Sequence, residues 1–349
     1  MTDFYEITDR LKDGERVTDE ELLLLLEGGE DSDAYLMASA REVCDAVYGR
    51  SVYLRGLIEI SSYCKNDCYY CGIRRSNRLA ERYRLTPDVI VDTAMSGYEA
   101  GFRTFVLQGG EDPYFTDEVV EDVVRRIKES CAGCAVTLSL GERSRDSYRR
   151  LREAGADRYL LRHETATDGH YSALHPDSMR LADRMQCLEE LKSLGYQVGC
   201  GFMVGSPYQT LRHIVADLRY MEGFRPHMVG IGPFIPHCDT PFRDKATGSI
   251  PLTLRCLAIV RLMLKGVLLP ATTALGSVGA GGRVRGLLAG ANVVMPNLSP
   301  VEVRSKYSLY NGKASVGAES AEGISALRRE LEEAGFDLSF DVGHSKIKI

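Results

Sequence analysis

The chain has 349 residues and is acidic, with a formal net charge of −6 and a pI near 5.8. Its Lys and Arg residues are scattered, which argues against nucleic acid or an anionic membrane surface as a partner, because basic patches bind both. The longest apolar runs are far shorter than the roughly 20 residues needed to cross a bilayer, and the first ten residues contain no apolar signal core. We therefore expect a cytoplasmic protein.

The first 50 residues predict helices. Apolar residues recur at helical intervals from Leu11 through Leu36 and Ala40 to Val47. We expect these helices to form an N-terminal extension, residues 1–50, packed on the outside of the main body.

From residue 51 the pattern changes to short apolar runs that alternate with amphipathic helices. Eight runs predict strands, at residues 52–60, 104–108, 135–140, 158–163, 197–204, 228–235, 268–275 and 292–296. Seven predicted helices separate them, at residues 87–100, 117–130, 144–154, 180–194, 209–222, 252–265 and 282–289. This alternation predicts the α/β class and a (β/α)8 TIM barrel over residues 51–310. A further helix at 321–334 lies in a C-terminal extension, residues 311–349, which we expect to pack on the barrel within a single domain.

Three cysteines follow the first predicted strand within eight residues: Cys64, Cys68 and Cys71. Structural zinc takes four protein ligands, and the cubane cluster of an electron carrier takes four thiolates. Three cysteines leave one metal position for a ligand that is not protein. The alternative is a zinc knuckle whose fourth ligand is a distant Cys or His.

The spacing Cys-x3-Cys-x2-Cys, with Tyr70 before the last cysteine, resembles the radical S-adenosylmethionine (radical SAM) superfamily. The resemblance implies one [4Fe-4S] cluster on Cys64, Cys68 and Cys71, with SAM bound to the fourth iron. It also implies reductive cleavage of SAM to a 5′-deoxyadenosyl radical, with a ferredoxin or flavodoxin as the electron donor.

The predicted strand ends carry further candidates, because ligands meet the C-terminal ends of barrel strands. Gly109, Gly110 and Glu111 follow the second strand and resemble the superfamily's GGE-type element, which receives the amino group of SAM. Arg162 and Glu164 should share the inner face of the fourth strand, because alternate side chains point the same way.

Over residues 50–310 the chain resembles the HydE family of [FeFe]-hydrogenase maturases, at residues 64–77, 108–114, 137–142, 158–166, 228–237, 270–274 and 291–300. The resemblance implies a radical reaction on an iron-bound sulfur precursor during H-cluster assembly, with the maturases HydG and HydF as partners. It assigns catalysis to the three cysteines with Thr272, Thr273 and Tyr310. The implied cofactor-binding residues are Tyr70, Gly109, Gly110, Glu111, Ser139, Glu142, Arg162, Glu164, Arg184, Met203, Met228, Ile235 and Tyr307.

Some relatives in that family hold a second cluster on C-terminal cysteines. Here no cysteine follows Cys256, so we expect no second cluster. Cys131 and Cys134 could form a redox pair or half of a metal site, although no partner ligands lie nearby in the sequence and a structural role is favoured. Cys44, Cys187 and Cys256 lie in helical patterns and should be buried as small apolar side chains.

Three other functions remain open. A methylornithine synthase-like mutase shares the barrel and the length, but its cysteine loop and fourth strand differ in sequence. Biotin synthase matches less well, because the second and third strands here lack the cysteines of its second cluster. A non-catalytic iron-sulfur protein would leave the glycine element and the barrel unexplained.

Overall fold

The computed structural model describes residues 3–279, 281–313 and 323–347. This part of the chain contains nine strands: β1 Ser51–Leu54, β2 Gly56–Ser61, β3 Thr104–Gly109, β4 Ala135–Ser139, β5 Arg158–Leu160, β6 Gln197–Val204, β7 Met228–Pro233, β8 Val293–Val294 and β9 Asp337–Ser339. It also contains fourteen helices: α1 Phe4–Asp13, α2 Asp19–Glu27, α3 Glu30–Tyr48, α4 Pro87–Glu99, α5 Asp117–Ser130, α6 Arg145–Glu153, α7 Asp168–Leu174, α8 Leu181–Ser193, α9 Leu211–Phe224, α10 Ile250–Met263, α11 Thr273–Val278, α12 Gly282–Leu288, α13 Val301–Arg304 and α14 Ile324–Glu333.

The strands form a closed parallel circuit. Strands β2 to β7 make a six-stranded sheet in chain order, and β8, β1 and β9 make a second sheet in which β1 is central. Three parallel bridges complete the circuit, between Met228 and Leu268, Pro270 and Val293, and Leu57 and Asn297. The predicted α/β barrel is therefore confirmed, with helices α4 to α12 following the strands.

The seventh predicted strand, residues 268–275, is reduced to the bridges at Leu268 and Pro270. Proline has no N–H to donate to a neighbouring strand, and Thr272 has the extended conformation of an N-cap for α11, which begins at Thr273. The apolar run therefore ends in a helix instead of continuing along the barrel.

The first predicted strand also differs, because residues 52–60 divide at Arg55 into β1 and β2, which belong to different sheets.

The C-terminal extension adds a strand that the sequence pattern did not reveal. Strand β9 pairs in parallel with β1, with Leu338 opposite Val52. The following residues lie under the barrel, where the buried Arg158 donates to the carbonyl oxygens of Val342 at 3.0 Å and Gly343 at 3.2 Å. The predicted helix at 321–334 is present as α14, and residues 321 and 322 lie outside the described part.

The N-terminal helices cover the outside of the barrel near α10 and α12. Helix α3 packs along α10, and the buried Arg41 of α3 donates to the carbonyl oxygens of Leu287 at 2.9 Å and Ala291 at 3.0 Å. None of the described helices combines the length and the apolar character that a membrane-spanning segment requires.

The cysteines outside the loop after β2 are mostly packing residues. Cys44, Cys187 and Cys256 are buried, and so are Cys131 and Cys134, which are both free thiols in the main hydrophobic core. Burial raises the pKa of the Cys134 thiol to about 11, which keeps it protonated and unreactive at neutral pH.

Arg261 of α10 is fully buried, and its guanidinium donates hydrogen bonds to three backbone carbonyls and one side chain. It donates to Lys265 O at 2.7 Å, Val267 O at 2.8 Å, Gly290 O at 2.8 Å and Asn292 Oδ1 at 3.1 Å. We expect Arg261→Met to lower the free energy of unfolding by roughly 3 kcal/mol, because these buried acceptors lose their donors.

Urea denaturation followed by circular dichroism measures this change. Arg16→Met is the control, because the Arg16 side chain is 75% exposed and its loss should change stability by less than about 0.5 kcal/mol. Equal stability of the two variants would contradict the role assigned to Arg261.

Candidate active site

The loop that carries the three cysteines lies directly against the end of β3. A Cβ atom at Gly110 would stand 2.1 Å from the carbonyl oxygen of Tyr63 and 2.8 Å from Cβ of Cys64, so only glycine permits this approach. Lys65 N–H donates to Glu111 O at 2.8 Å, and Gly110 N–H donates to Ser61 O at 3.2 Å. The glycine element and the cysteine loop are therefore one hydrogen-bonded unit.

The three cysteines are free thiols that are neither buried nor fully exposed. Structural zinc takes four protein ligands, whereas this loop supplies three thiols.

Backbone groups form hydrogen bonds to the sulfurs of Cys64 and Cys71. Burial raises the pKa of Cys64, while hydrogen bonds from the backbone of Asn66 and Glu111 oppose that rise. Burial likewise raises the pKa of Cys71 to about 12, against a backbone hydrogen bond from Ile73. Without a metal the thiols are protonated, and thiolates form when a metal binds.

A cavity of about 280 Å³ opens at Cys71 and extends into the barrel. Its walls include nine of the residues that the sequence singled out: Tyr70, Cys71, Ser139, Arg162, Glu164, Met203, Ile235, Thr272 and Tyr310. Strand ends that are distant in sequence thus converge on one space. Met228 lines a second cavity of about 40 Å³, which shares Leu160, Gly230, Pro270 and Met295 with the first.

Arg162 and Glu164 both face this cavity and pair with each other at 3.2 Å. His163 between them points the other way, where its Nε2 is 3.4 Å from the buried Asp217. Glu164 has a φ of 65°, a left-handed conformation that costs a non-glycine residue about 1 kcal/mol or more. The pair joins Arg162 Nη2 to Glu164 Oε2, and the buried Arg162 Nε has no hydrogen-bond partner.

Glu111, Glu142 and Arg184 form a hydrogen-bonded network beside the cavity and do not line it. Glu142 N–H donates to Glu111 Oε1 at 3.0 Å, the Arg184 guanidinium pairs with the Glu142 carboxylate, and Arg184 donates to Arg162 O at 2.8 Å. Glu111 Oε2 is 3.2 Å from Lys65 Nζ. This network links the cysteine loop to the strand end that carries Arg162.

His175 is a residue that the sequence analysis missed. It is fully buried, its Nδ1–H donates to Tyr171 O at 2.9 Å, and its Nε2 lies 3.2 Å from the hydroxyl of Tyr70. Burial lowers the pKa of His175 to about 3, so the ring is neutral and accepts a hydrogen bond from Tyr70. No local motif surrounds His175, and only the fold brings it to the cysteine loop.

The cavity wall also carries hydroxyl groups. Thr272 Oγ1 is buried without a hydrogen-bond partner, and a Cβ at Gly232 would stand 2.7 Å from it. Tyr310 lines the cavity, while Tyr307 is buried behind it, with its hydroxyl 3.3 Å from Gln108 Nε2. Thr273 begins α11 and does not line the cavity.

A buried ion pair closes this side of the barrel. Glu59 of β2 is completely buried, and its carboxylate contacts Lys313 Nζ at 2.5 Å and Asn297 Nδ2 at 2.8 Å. Burial raises the pKa of Glu59, and Lys313 opposes that rise. The sequence analysis did not identify this pair, because its partners are separated by 254 positions.

Comparison with known proteins identifies the family of this chain. The model of the Radical SAM superfamily matches residues 58–221. The [FeFe] hydrogenase maturase subunit HydE of Thermotoga maritima is 44% identical over 311 residues, which cover 89% of this chain and 88% of that protein. This chain belongs to the radical SAM superfamily.

The chain is also similar to methylornithine synthases, in sequence and in structure. The 3-methylornithine synthase of Methanosarcina barkeri is 31% identical, over 97% of this chain and 91% of that protein. The crystal structure of methylornithine synthase (PylB) matches with a TM-score of 0.82 at 28% identity, covering 95% of this chain and 97% of that chain. The radical SAM enzyme described here therefore has the predicted barrel fold, and its superfamily implies a [4Fe-4S] cluster and SAM as cofactors.

The close contact of Gly110 with Tyr63 and Cys64 can be tested by substitution. We expect Gly110→Ala to lower the iron and sulfide bound after anaerobic reconstitution by about half or more, because the added Cβ would displace Tyr63 and Cys64. The control is Gly169→Ala in α7, where a Cβ would meet no atom within 4 Å. Iron content equal to that of the control would contradict the proposed contact.

Proposed function

We propose that this radical SAM enzyme is a HydE-type maturase, which acts on an iron-bound sulfur precursor in assembly of the [FeFe]-hydrogenase H-cluster. The main support is 44% identity with HydE along nearly the whole of both chains. We also propose HydG as the source of the precursor and HydF as the recipient of the product. A ferredoxin or flavodoxin would supply the electron.

Cys64, Cys68 and Cys71 are proposed to hold the cluster and to leave its fourth iron to SAM. Soft thiolates suit iron and sulfur, and three of them leave one metal position for a ligand that is not protein. When bound, the two cofactors would supply a 5′-deoxyadenosyl radical. The protein would hold SAM in place and exclude water from the cavity.

The cofactor side of the cavity is proposed to be the side next to Cys71. Tyr70, Ser139, Arg162 and Glu164 offer hydrogen-bonding groups there, while Met203 and Ile235 offer apolar walls. The unpartnered Nε of Arg162 is the strongest support, because buried polar groups without partners are rare in folded proteins. A ligand with a hydrogen-bond acceptor would satisfy it.

The remaining predicted residues would shape this cofactor side. Gly109 and Gly110 would allow close approach of the backbone, while Glu111, Glu142 and Arg184 would fix the strand ends around it. Met228 would form the floor beneath the cavity, and Tyr307 would support its outer wall.

Thr272 and Tyr310 are proposed to contact the substrate in the cavity, with Thr273 supporting Thr272 at the start of α11. The unpartnered hydroxyl of Thr272 supports this assignment.

A methylornithine synthase-like mutase is the second candidate, because that enzyme shares 31% identity and the same barrel. The two functions are distinguished by whether the reduced enzyme forms methylornithine, the product in that relative's name, or supports hydrogenase maturation with HydG and HydF. Formation of methylornithine would favour the mutase.

Loss of one cluster ligand tests the radical SAM chemistry. We expect Cys71→Ala to abolish formation of 5′-deoxyadenosine from SAM with dithionite, and to remove most of the chelatable iron, because the cluster would keep only two thiolates. Chromatographic product analysis and iron assay measure the two effects. Cys238→Ala is the control, because Cys238 is an exposed thiol outside the loop. A Cys71→Ala protein that still cleaves SAM would defeat the assignment.

The division of the cavity is tested by the pair Thr272→Val and Tyr310→Phe. We expect the double variant to cleave SAM within about twofold of the wild-type rate but to lose most activity in maturation with HydG and HydF, because only substrate contacts change. Both substitutions conserve shape. An equal loss of SAM cleavage and maturation would assign these residues to the cofactor.

A further inference from the structure

Residues 72–84 form a loop that lies on the outer side of the cysteine loop. Arg75 N–H donates to Asn66 O at 2.8 Å, and the backbone and hydroxyl of Ser76 both donate to the Asp67 carboxylate. The loop therefore sits directly over the residues between Cys64 and Cys68.

The guanidinium of Arg82 holds this loop in shape. It donates to the carbonyl oxygens of Ile73 at 2.8 Å, Arg74 at 2.7 Å and Asn77 at 3.0 Å, and also to that of Ser62. A surface presented by this loop is thus fixed relative to the cysteines.

Arg75, Arg78 and Leu79 project from this loop into solvent, and we call them the loop patch. Leu79 is 76% exposed, more than any other large apolar side chain in the described part of the chain. Arg75 and Arg78 are exposed and have no ion-pair partner among the described residues. Neighbouring arginines differ, because Arg74 pairs with Asp67 and Arg84 pairs with Asp112.

The charge of this region opposes that of the whole chain. Residues 63–84 contain six Lys and Arg against two Asp and Glu. Even with Glu111 and Asp112, which pair with Lys65 and Arg84, the balance is six against four, whereas the chain carries a formal charge of −6. The basic residues of this stretch are clustered, although Lys and Arg are scattered over the chain as a whole. A local positive surface on an acidic protein steers an acidic partner to one place.

We propose that the loop patch is the docking surface for an acidic one-electron carrier protein, of the flavodoxin or ferredoxin class. This inference rests on the proposed function. Charge complementarity would guide the carrier, and Leu79 would supply the apolar contact at the centre of the interface. One electron passes from the reduced carrier to the cluster beneath the loop, so the carrier is oxidised by one electron and the cluster is reduced by one.

The test uses the reconstituted holoenzyme and compares two reductants, photoreduced flavodoxin and dithionite. With limiting flavodoxin at low salt, we expect Arg75→Glu with Arg78→Glu to slow formation of 5′-deoxyadenosine by about tenfold or more, since steering is lost. Dithionite needs no docking, so that rate should stay within about twofold of wild type. Added salt should slow the flavodoxin reaction of the wild type more than that of the variant.

Two further variants sharpen the result. Leu79→Ser should raise the flavodoxin concentration needed for half-maximal rate and leave the dithionite rate unchanged. Arg16→Glu is the charge control, because Arg16 pairs with Glu222 near the C-terminal end of α9, at the opposite end of the barrel from the cysteine loop. It should match the wild type with both reductants.

The proposal is overturned if the double variant keeps the flavodoxin-driven rate, or if both reductants lose rate equally, which would make the loop a support for the cluster. Normal flavodoxin-driven cleavage with lost maturation would assign the loop patch to another maturase and would also overturn it. If the wild type cleaves no SAM with dithionite, the proposed function itself fails.

Discussion

The approach of β3 to the cysteine loop is the contact on which the rest of the site depends. Gly110 has no side chain, so the carbonyl of Tyr63 and the Cβ of Cys64 occupy the space where one would lie. Hydrogen bonds from Lys65 N–H to Glu111 O, and from Glu142 N–H to the Glu111 carboxylate, extend this contact to the end of β4. Arg184 continues it to the carbonyl of Arg162. Four strand ends are thereby fixed around the cysteines before any cofactor binds.

Inside that frame the cavity has two chemically different sides. One side carries Arg162 and Glu164, an ion pair with the unpartnered atom Arg162 Nε and a strained backbone at Glu164. The other carries the hydroxyl groups of Thr272 and Tyr310, which are neutral. The charged side suits a zwitterionic ligand that can also accept a hydrogen bond from Arg162 Nε. The neutral side suits a substrate held by hydroxyl groups, which agrees with the proposed separation of cofactor and substrate.

Local sequence predicts the parts of this site that local chemistry determines. The spacing of the cysteines, the alternation that places Arg162 and Glu164 on one face, and the glycines after β3 are all readable within a few residues. The pairing of β9 with β1, the contact between His175 and Tyr70, and the ion pair of Glu59 with Lys313 join distant parts of the chain, and no short pattern encodes them. The seventh strand was mispredicted for a different reason. Its apolar run resembles a strand, but Pro270 removes a donor and Thr272 starts a helix.

Buried charge also determines where the segment after the barrel lies. The Glu59 carboxylate has no access to water, so leaving it unpaired would cost several kcal/mol. Lys313 supplies the opposite charge, and its ammonium group also lies 5.1 Å from the ring centre of Tyr307. Tyr310 lies between Tyr307 and Lys313 in the chain. The ion pair of Lys313 with Glu59 therefore holds Tyr310, on the proposed substrate side, near β2, the strand that leads into the cysteine loop. Movement of residues 307–313 would change the distance between the substrate side and the cysteines.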